Sequence, residues 1–364
     1  MTTPKATPAA PVLAAGDRFI TPALLAEKLR IACRTPLDIK SLTLPWPDVP
    51  FGPVAEVHEA SGTEDEMVDA LAGVRICVTQ MAPLTEKVLS SRTELDLCCV
   101  TRGGPVNVDL DAATRHGVAV CSAPGRNASA TAEHTVAIML AAMRRIPQVH
   151  GDLEAGTWRG DYYRYDSVGL ELGGRTVGLL GCGAVGTRVA RIVAAFGAHV
   201  LVYDPYVVDD AVRELADLVS LDELFARSDV ISLHARATDE TRGVVSASRI
   251  EAMPSGGVLV NCARGSLVDY TAVCDALDSG HLFAAAFDVF PTEPIPADSR
   301  LRRTHGVVMT PHLAGASRET AHNAGSIAAA EVARYLEGAP LQHCLNPEVL
   351  QGGTSGVSGM TDEY

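Results

Sequence analysis

The sequence predicts an α/β protein made of two doubly wound parallel-sheet domains, Rossmann-like or flavodoxin-like. Two observations carry that prediction. Short apolar runs alternate with helical segments in both halves of the chain. One of those runs, Val177–Gly186, reads VGLLGCGAVG and spaces Gly181, Gly183 and Gly186 as G-x-G-x-x-G. The composition agrees, since 47% of the 364 residues are hydrophobic but only 5% aromatic. Abundant Ala, Val and Leu suits strands buried on both faces.

In chain order, MTTPKATPAAPVLAAG is rich in Pro, Ala and Thr and has no long apolar core, so it reads as a loose tail and not as a signal peptide. TPALLAEKLR follows as a helix. The next stretch, to about Gly62, is proline-rich (LPWPDVPFGP) and carries no clear element. From Met67 the alternation becomes regular: helix DEMVDALAG, strand VRICVT, helix TEKVLSSR, strand LDLCCVT, helix LDAATRHG and strand VAVC. Asn127 or Ser129 caps a longer helix whose apolar face is Ala132, Thr135, Val136, Met139, Leu140 and Met143, and Pro147 bounds it. A polar connector, GDLEAGTWRGDYYRYDSVGLELGG, gathers most of the tyrosines.

Strand TVGLLG then enters the glycine turn. Val189, Ile192, Val193 and Phe196 recur at helical spacing up to Gly197, and HVLVYD ends in Asp204. Strand, glycine turn, helix, strand and terminal acid make a dinucleotide-binding βαβ unit. The first glycine permits the tight turn, the second lets backbone approach a pyrophosphate, and the third lets helix and strand pack closely. Strands DVISLH, GVLVNC, FAAAFDVF and VVMTPH follow, with helices LDELFARS and SLVDYTAVCDALDSG between them. The latter opens on a capping-box pattern, Ser266-x-x-Asp269. An alanine-rich helix runs from about Ser317 to Leu336, and GGTSGVSGMTDEY has a disordered composition.

The formal charge of −14 without a basic run argues against nucleic acid, and no apolar run approaches the roughly 20 residues of a membrane span. Nine cysteines are scattered apart from the pair Cys98–Cys99, with no metal-ligand spacing. They read as reduced thiols of a cytoplasmic protein, with no metal expected.

Ligands in open α/β sheets bind beyond the carboxyl ends of the strands. Arg264 in NCARG, Glu293 in DVFPTEP and His312 in TPHLAGAS follow consecutive strands. Taken singly, such an Arg is ordinarily solvated, such a Glu an ordinary loop residue and such a His structural. Together, beside a dinucleotide site, they suit carbonyl reduction. His312 is the natural acid with a pKa near neutrality. Glu293 would hold the imidazole in one tautomer, and Arg264 would grip a substrate carboxylate. The implied substrate is a 2-keto or 2-hydroxy acid.

At these residues the sequence resembles the D-isomer-specific 2-hydroxyacid dehydrogenases, from about Val74 to Pro347. The shared motifs are VNVDLDAATRHGVAV, the A-E-H-T helix start, VGLLGCGAVG, VLVYDP, NCARGSLVD, FDVFPTEP and TPHLAGAS. The resemblance implies that Arg264, Glu293 and His312 are the catalytic Arg, Glu and His. Gly181, Gly183, Ala184, Val185 and Gly186 match its phosphate loop, and Asp204 its adenosine-ribose acid. Thr131, His234, Thr241, Cys262, Ala263, Asp288 and Gly315 fall where the family lines the cofactor, with Asp288 on the nicotinamide carboxamide. Asp204, followed by Pro205 and Tyr206, points to NAD rather than NADP.

The resemblance further implies a discontinuous substrate domain (18–127 and 317–350), a nucleotide domain inserted into it (128–316) and flexible tails (1–17 and 351–364). Helix Ser129–Met143 and the connector after it would form a homodimer interface. Two departures stand out. The family's substrate loop often reads GRAGTGVDNVD, but here it is TRGGPVNVD, with Arg102, Gly103 and Gly104 expected to face the substrate. Phosphoglycerate dehydrogenases, the nearest by pattern, place an Arg after the strand VRICVT, where this chain has Thr79, Gln80 and Met81. The chain also ends soon after NPEVL, which leaves no room for a C-terminal regulatory domain. The shortened loop and the YYRYD insert suggest a sugar acid of moderate size.

Other readings are a nucleotide-sensing corepressor or scaffold on the same fold, phosphoglycerate dehydrogenase proper, and formate or phosphite oxidation. The resemblance puts a Gln in formate oxidisers where this chain has Glu293.

Overall fold

A computed structural model describes residues 9–47, 49–206 and 210–350. The chain divides into two compact units. The first takes the chain up to Arg126 together with that from Ser317 onward, and the second is Asn127–Ala316.

The first unit holds five parallel strands: β1 (Ala10–Gly16), β2 (Leu37–Thr43), β3 (Ile76–Thr79), β4 (Leu97–Val100) and β5 (Ala119–Cys121), ordered β2-β1-β3-β4-β5. That is the flavodoxin-like order, with its topological switch between β1 and β3. Its strands are apolar without alternation because both faces are covered. Leu13 and Ala15 join one core cluster, while Val12 and Ala14 join the other. Cys98 and Cys99 likewise point to opposite faces, and all nine cysteines are free thiols. Each buried Leu of this kind contributes about 1.5–3 kcal/mol. The exposed side of β5 is closed by the chain after the last helix. Leu345 N–H donates to the Val120 carbonyl, and buried Asn346 accepts from Val120 N–H and donates to the Val118 carbonyl.

This unit corrects two expectations. Residues 10–17 are no tail, because β1 is a central strand and Asp17 is buried at its end. The alanine-rich composition that suggested a tail is what two covering helix layers require. Residues 1–8 and 351–364, the rest of the expected tails, lie outside the described residues. The unassigned proline-rich stretch begins with β2, an edge strand whose partial exposure breaks the apolar pattern. The signal for β2 lies before the prolines, in LDIKSLT.

The second unit has seven parallel strands: β6 (Thr176–Leu180), β7 (His199–Tyr203), β8 (Asp217–Leu218), β9 (Val230–Leu233), β10 (Gly257–Asn261), β11 (Leu282–Phe287) and β12 (Val307–Met309). Their order, β12-β11-β10-β9-β6-β7-β8, is the doubly wound Rossmann order with one strand added. The switch lies between β6 and β9. Helices Ala128–Met143 and Gly186–Ala195 cover one face, and Leu221–Arg227 and Tyr270–Asp278 the other.

Two local expectations change here. Pro147 does not end the long helix, which stops at Met143; it stands in the first turn of a new helix, Ile146–Glu154. Proline suits that position because the first helical N–H groups lack partners anyway. The helix before β11 is capped by Asp269, which accepts from Thr271 and Ala272 N–H, while Ser266 sits in a preceding 3₁₀ turn. An Asp cap completes the helix without a capping box.

Candidate active site in the second unit

The three glycines of the turn after β6 are each needed for a different reason. Gly181 adopts φ +92°, and a Cβ there would stand 2.7 Å from Ala235 N. A Cβ on Gly186 would overlap the Gly181 carbonyl oxygen. At Gly183 nothing lies within 4 Å of where a Cβ would be, so backbone is presented to open space. No side chain caps helix Gly186–Ala195 at its start, which includes Ala184 and Val185. An uncapped helix start beside open glycine backbone fits a pyrophosphate.

Asp204, at the end of β7, accepts from Cys182 N–H through Oδ2 (2.7 Å) and from Tyr206 N–H through Oδ1 (2.9 Å). Each oxygen keeps a lone pair for a ribose hydroxyl. His234 lines the same loop, and its backbone packs against Gly181. Burial pushes its imidazole down to about 4, so it is neutral and pairs with the Ser232 hydroxyl at 3.0 Å.

Other expected cofactor residues have local partners. The Thr241 hydroxyl donates to the Arg236 carbonyl at 2.6 Å and closes a turn. The Thr131 carbonyl accepts from the Thr135 hydroxyl inside the long helix. Cys262 is a buried thiol that burial pushes up to about 12, so it packs and does not react. Ala263 N–H donates to Asn261 Oδ1 at 2.9 Å. A Cβ on Gly315 would overlap the Asn127 amide.

Asp288 is 1% exposed, and its carboxylate accepts from the Thr310 hydroxyl (2.6 Å), Leu313 N–H (2.9 Å) and Ala314 N–H (2.8 Å). It ties down the loop that carries His312. His134, from the A-E-H-T motif, donates to the Thr310 hydroxyl at 2.9 Å, since that hydroxyl spends its own proton on Asp288. Sequence reasoning missed this chain of three. The three stand in separate motifs, His134 in A-E-H-T, Asp288 in FDVFPTEP and Thr310 in TPHLAGAS, and only the fold brings them together.

The three expected chemical groups converge in this one unit. Buried Asn261 bonds the Arg264 carbonyl (2.8 Å) and Ala263 N–H, so the turn after β10 leaves the Arg264 side chain exposed. Gly265 lies so close to the Phe290 carbonyl that a Cβ would overlap it, which joins this turn to the loop after β11. In that loop Glu293 Oε1 accepts from Phe290 N–H at 2.9 Å, and Oε2 accepts from His312 Nδ1–H at 2.6 Å. His312 sits at φ +53°, a left-handed conformation held by its N–H bonds to the Asp288 (2.9 Å) and Thr310 (3.0 Å) carbonyls. A non-glycine residue kept there costs about 1–3 kcal/mol, and such strain gathers at functional sites.

The bond to Glu293 raises the His312 pKa above its ordinary value, against the opposing effect of burial. Burial pushes the Glu293 carboxyl up, but the bonds from His312 and Phe290 N–H and the charges of His312 and Arg264 outweigh it and leave the pKa lowered. The result is a carboxylate–imidazole pair whose Nε2 makes no bond to any described residue. It can deliver or accept one proton near neutral pH beside a guanidinium.

Arg102, Gly103 and Gly104 belong to the first unit. The Arg102 guanidinium is ion-paired with Glu59, and Gly104 has open space around it. Among the described residues no group of His, Cys, Asp and Glu could hold a metal, and no helix is long and apolar enough to cross a membrane.

Fold and constellation together define a dinucleotide-binding α/β protein whose second unit carries an exposed arginine and a hydrogen-bonded Glu293–His312 pair. Residues 136–314 match the family model described as D-isomer specific 2-hydroxyacid dehydrogenase, NAD binding domain. The chain is 39% identical over 291 residues to D-3-phosphoglycerate dehydrogenase of Mycobacterium tuberculosis, covering 79% of this chain and 54% of that protein. It is 38% identical over 272 residues to the enzyme of that name from Archaeoglobus fulgidus, covering 74% and 51%. The chain thus spans about half the length of these curated relatives. Among solved structures it is similar to NAD-dependent formate dehydrogenase from Staphylococcus aureus in complex with NAD, with TM-score 0.70, 25% identity and coverage of 92% of this chain and 98% of that one. This chain belongs to the D-isomer-specific 2-hydroxyacid dehydrogenase family, and its second unit is an NAD-binding domain.

Proposed function

We propose that this protein is an NAD-dependent oxidoreductase interconverting a D-2-hydroxy acid and its 2-keto acid. The observation that carries this reading is the 2.6 Å Glu293–His312 pair next to Arg264, in the same unit as the glycine loop. Bound NAD supplies the hydride acceptor or donor. The rest is the work of the chain. Gly181 to Gly186 seat the pyrophosphate, and Asp204 takes the ribose hydroxyls. Arg264 holds the substrate carboxylate and polarises the neighbouring carbonyl. His312 Nε2 gives the carbonyl oxygen its proton, and Glu293 stabilises the charged imidazolium before transfer and fixes its tautomer. The first unit, with Arg102, Gly103 and Gly104, serves as the substrate domain. The intact Arg, Glu and His set favours an enzyme over a nucleotide-sensing scaffold. The test is a steady-state screen of 2-keto acids with NADH, followed by absorbance. Turnover of one of them with D stereochemistry supports the reading; tight NADH binding with no turnover of any acid would favour the sensor.

Ile146, Leu153, Trp158, Tyr163 and Tyr165 are exposed on the segment after the long helix, and helix Ile146–Glu154 buries no residue. We take this apolar surface as the contact of a homodimer. Nine free thiols support a cytoplasmic location, and a charge of −14 supports a small-molecule partner over nucleic acid.

A further inference from the structure

Three thiols line up toward the β5 edge of the first unit's sheet. Cys99 on β4 and Cys121 on β5 are register partners across parallel strands. Cys121 pairs in turn with Cys344, from the chain after the last helix (Arg318–Leu336), across an isolated antiparallel bridge. All three pack in one core cluster, and the Cys121 thiol is in hydrogen-bond contact with those of Cys99 and Cys344. Cys99 and Cys121 are each 1% exposed, whereas Cys344 is half-buried, so it is the thiol of the row that a reagent in solution reaches.

The backbone fixes how Cys121 and Cys344 meet. Ser122 N–H donates to the His343 carbonyl (3.1 Å), and Leu345 N–H donates to the Val120 carbonyl (2.8 Å). Both bonds come from flanking residues, so the two cysteines form a non-hydrogen-bonded antiparallel pair. In such pairs the Cα atoms approach to about 4.5 Å and the side chains stand closest. A disulfide needs Cα atoms about 4.4–6.8 Å apart and Cβ bonds that do not diverge. A pair of this kind meets both conditions with its backbone in place. The Cys121 thiol donates to Glu331 Oε2 at 3.6 Å, so a carboxylate stands ready to receive its proton. Burial holds the Cys344 thiol above its ordinary pKa, against the bond from Asn346. No cation there stabilises a thiolate, so attack is slow, but the reduced pair is not favoured either and a bond once formed resists reduction.

We infer that Cys344 and Cys121 are a covalent modification site for low-molecular-weight disulfides, and that the product is a Cys121–Cys344 bond fastening the chain after the last helix to β5. The site lies wholly in the first unit and stands apart from the proposed hydride transfer. The Cys344 thiolate attacks the reagent RSSR, which forms Cys344–S–S–R and releases one thiolate. Cys121 loses its proton toward Glu331 and attacks the Cys344 sulfur, which breaks the mixed disulfide and releases the second thiolate. Both thiolates take up the protons that the two cysteines lost. Two protein thiols are thus oxidised to one disulfide, and RSSR is reduced to two RSH. The new bond closes a loop that contains all of Asn127–Ala316, so it restricts the unfolded chain strongly.

The test treats the folded, fully reduced protein with hydroxyethyl disulfide, a neutral reagent suited to a chain of charge −14. After an acid quench, the remaining thiols are alkylated in denaturant and the peptides mapped by mass spectrometry. In wild type the expected product is one peptide pair joined through Cys121 and Cys344. Cys121→Ala should instead accumulate the mixed disulfide on Cys344, and Cys344→Ser should leave Cys121 alkylated. Cys33→Ser is the control, because Cys33 is the other half-buried cysteine, and it should link as wild type does. Recovery of Cys121 and Cys344 as free thiols in wild type overturns the inference, and so does a link from Cys121 to Cys99. Those two outcomes need no variant, so a variant that fails to fold does not shield the inference. The oxidised wild type should melt about 5 °C or more above the reduced form, reversibly with dithiothreitol, while Cys344→Ser shows no such shift. A link that leaves Tm unchanged overturns the fastening of that segment.

Discussion

At the residue scale, the site depends on a few side chains whose protonation is set by their neighbours. His312→Ala should lower kcat about 10²–10⁴-fold, the usual worth of a general acid, while NADH affinity measured by fluorescence titration stays the same. The pH profile has a definite sign. In the proposed reaction, keto-acid reduction needs protonated His312, whose pKa the Glu293 bond holds above its ordinary value. The rate should therefore be constant at low pH and fall as pH rises through that raised pKa. Glu293→Gln removes the carboxylate charge and should move the falling limb to lower pH; a limb that stays in place would show that Glu293 does not set it. Asp204→Ala should weaken NADH much more than NADPH, read as a ratio of dissociation constants. Some loss for both is expected, because Asp204 also holds Cys182 N–H in the glycine turn.

At the element scale, the turn after β6 separates packing from binding. Gly186 is pressed against the Gly181 carbonyl, so Gly186→Ala should destabilise the protein by about 1–3 kcal/mol, seen in denaturant unfolding, as overpacking does. Gly183 faces open space, so Gly183→Ala should leave stability nearly unchanged yet weaken NADH binding tenfold or more. If both variants lost only stability, the turn would be structural and not a phosphate cradle. The loops after β10, β11 and β12 act as one element in the same sense. Gly265 locks the first to the second, and Asp288 locks the second to the third. Arg264, Glu293 and His312 are therefore positioned by backbone and by buried Asn261 and Asp288, more than by one another.

At the scale of the whole molecule, the two units repeat one architecture with different strand orders, and each places its polar groups at the carboxyl ends of its own sheet. The exposed apolar residues between Ile146 and Tyr165 belong to neither core. Leu153→Glu combined with Tyr163→Glu should convert a dimer into a monomer in sedimentation velocity without lowering Tm, since both side chains are exposed, at 54% and 94%. An unchanged sedimentation coefficient would place the interface elsewhere.

Much of the site was readable before the fold. The strand runs were legible because strands covered on both faces need unbroken apolar sequence. The glycine turn was legible because a tight turn, an open backbone and a close helix each exclude a side chain. Arg264, Glu293 and His312 could be grouped as candidates because parallel strands all end at one edge of the sheet, and the fold does bring Glu293 and His312 together. What the sequence could not show depends on burial across the chain. Strand β1 looked like a tail because alanine has little strand preference of its own, and only two helix layers make it a strand. That the Asp288 carboxylate also fastens the loop carrying His312 was not visible in the sequence. Arg126 gave no sign at all, since an arginine in a Gly–Asn loop is ordinarily solvated. Only the packing around the strand ends buries its Nη1 without a partner among the described residues.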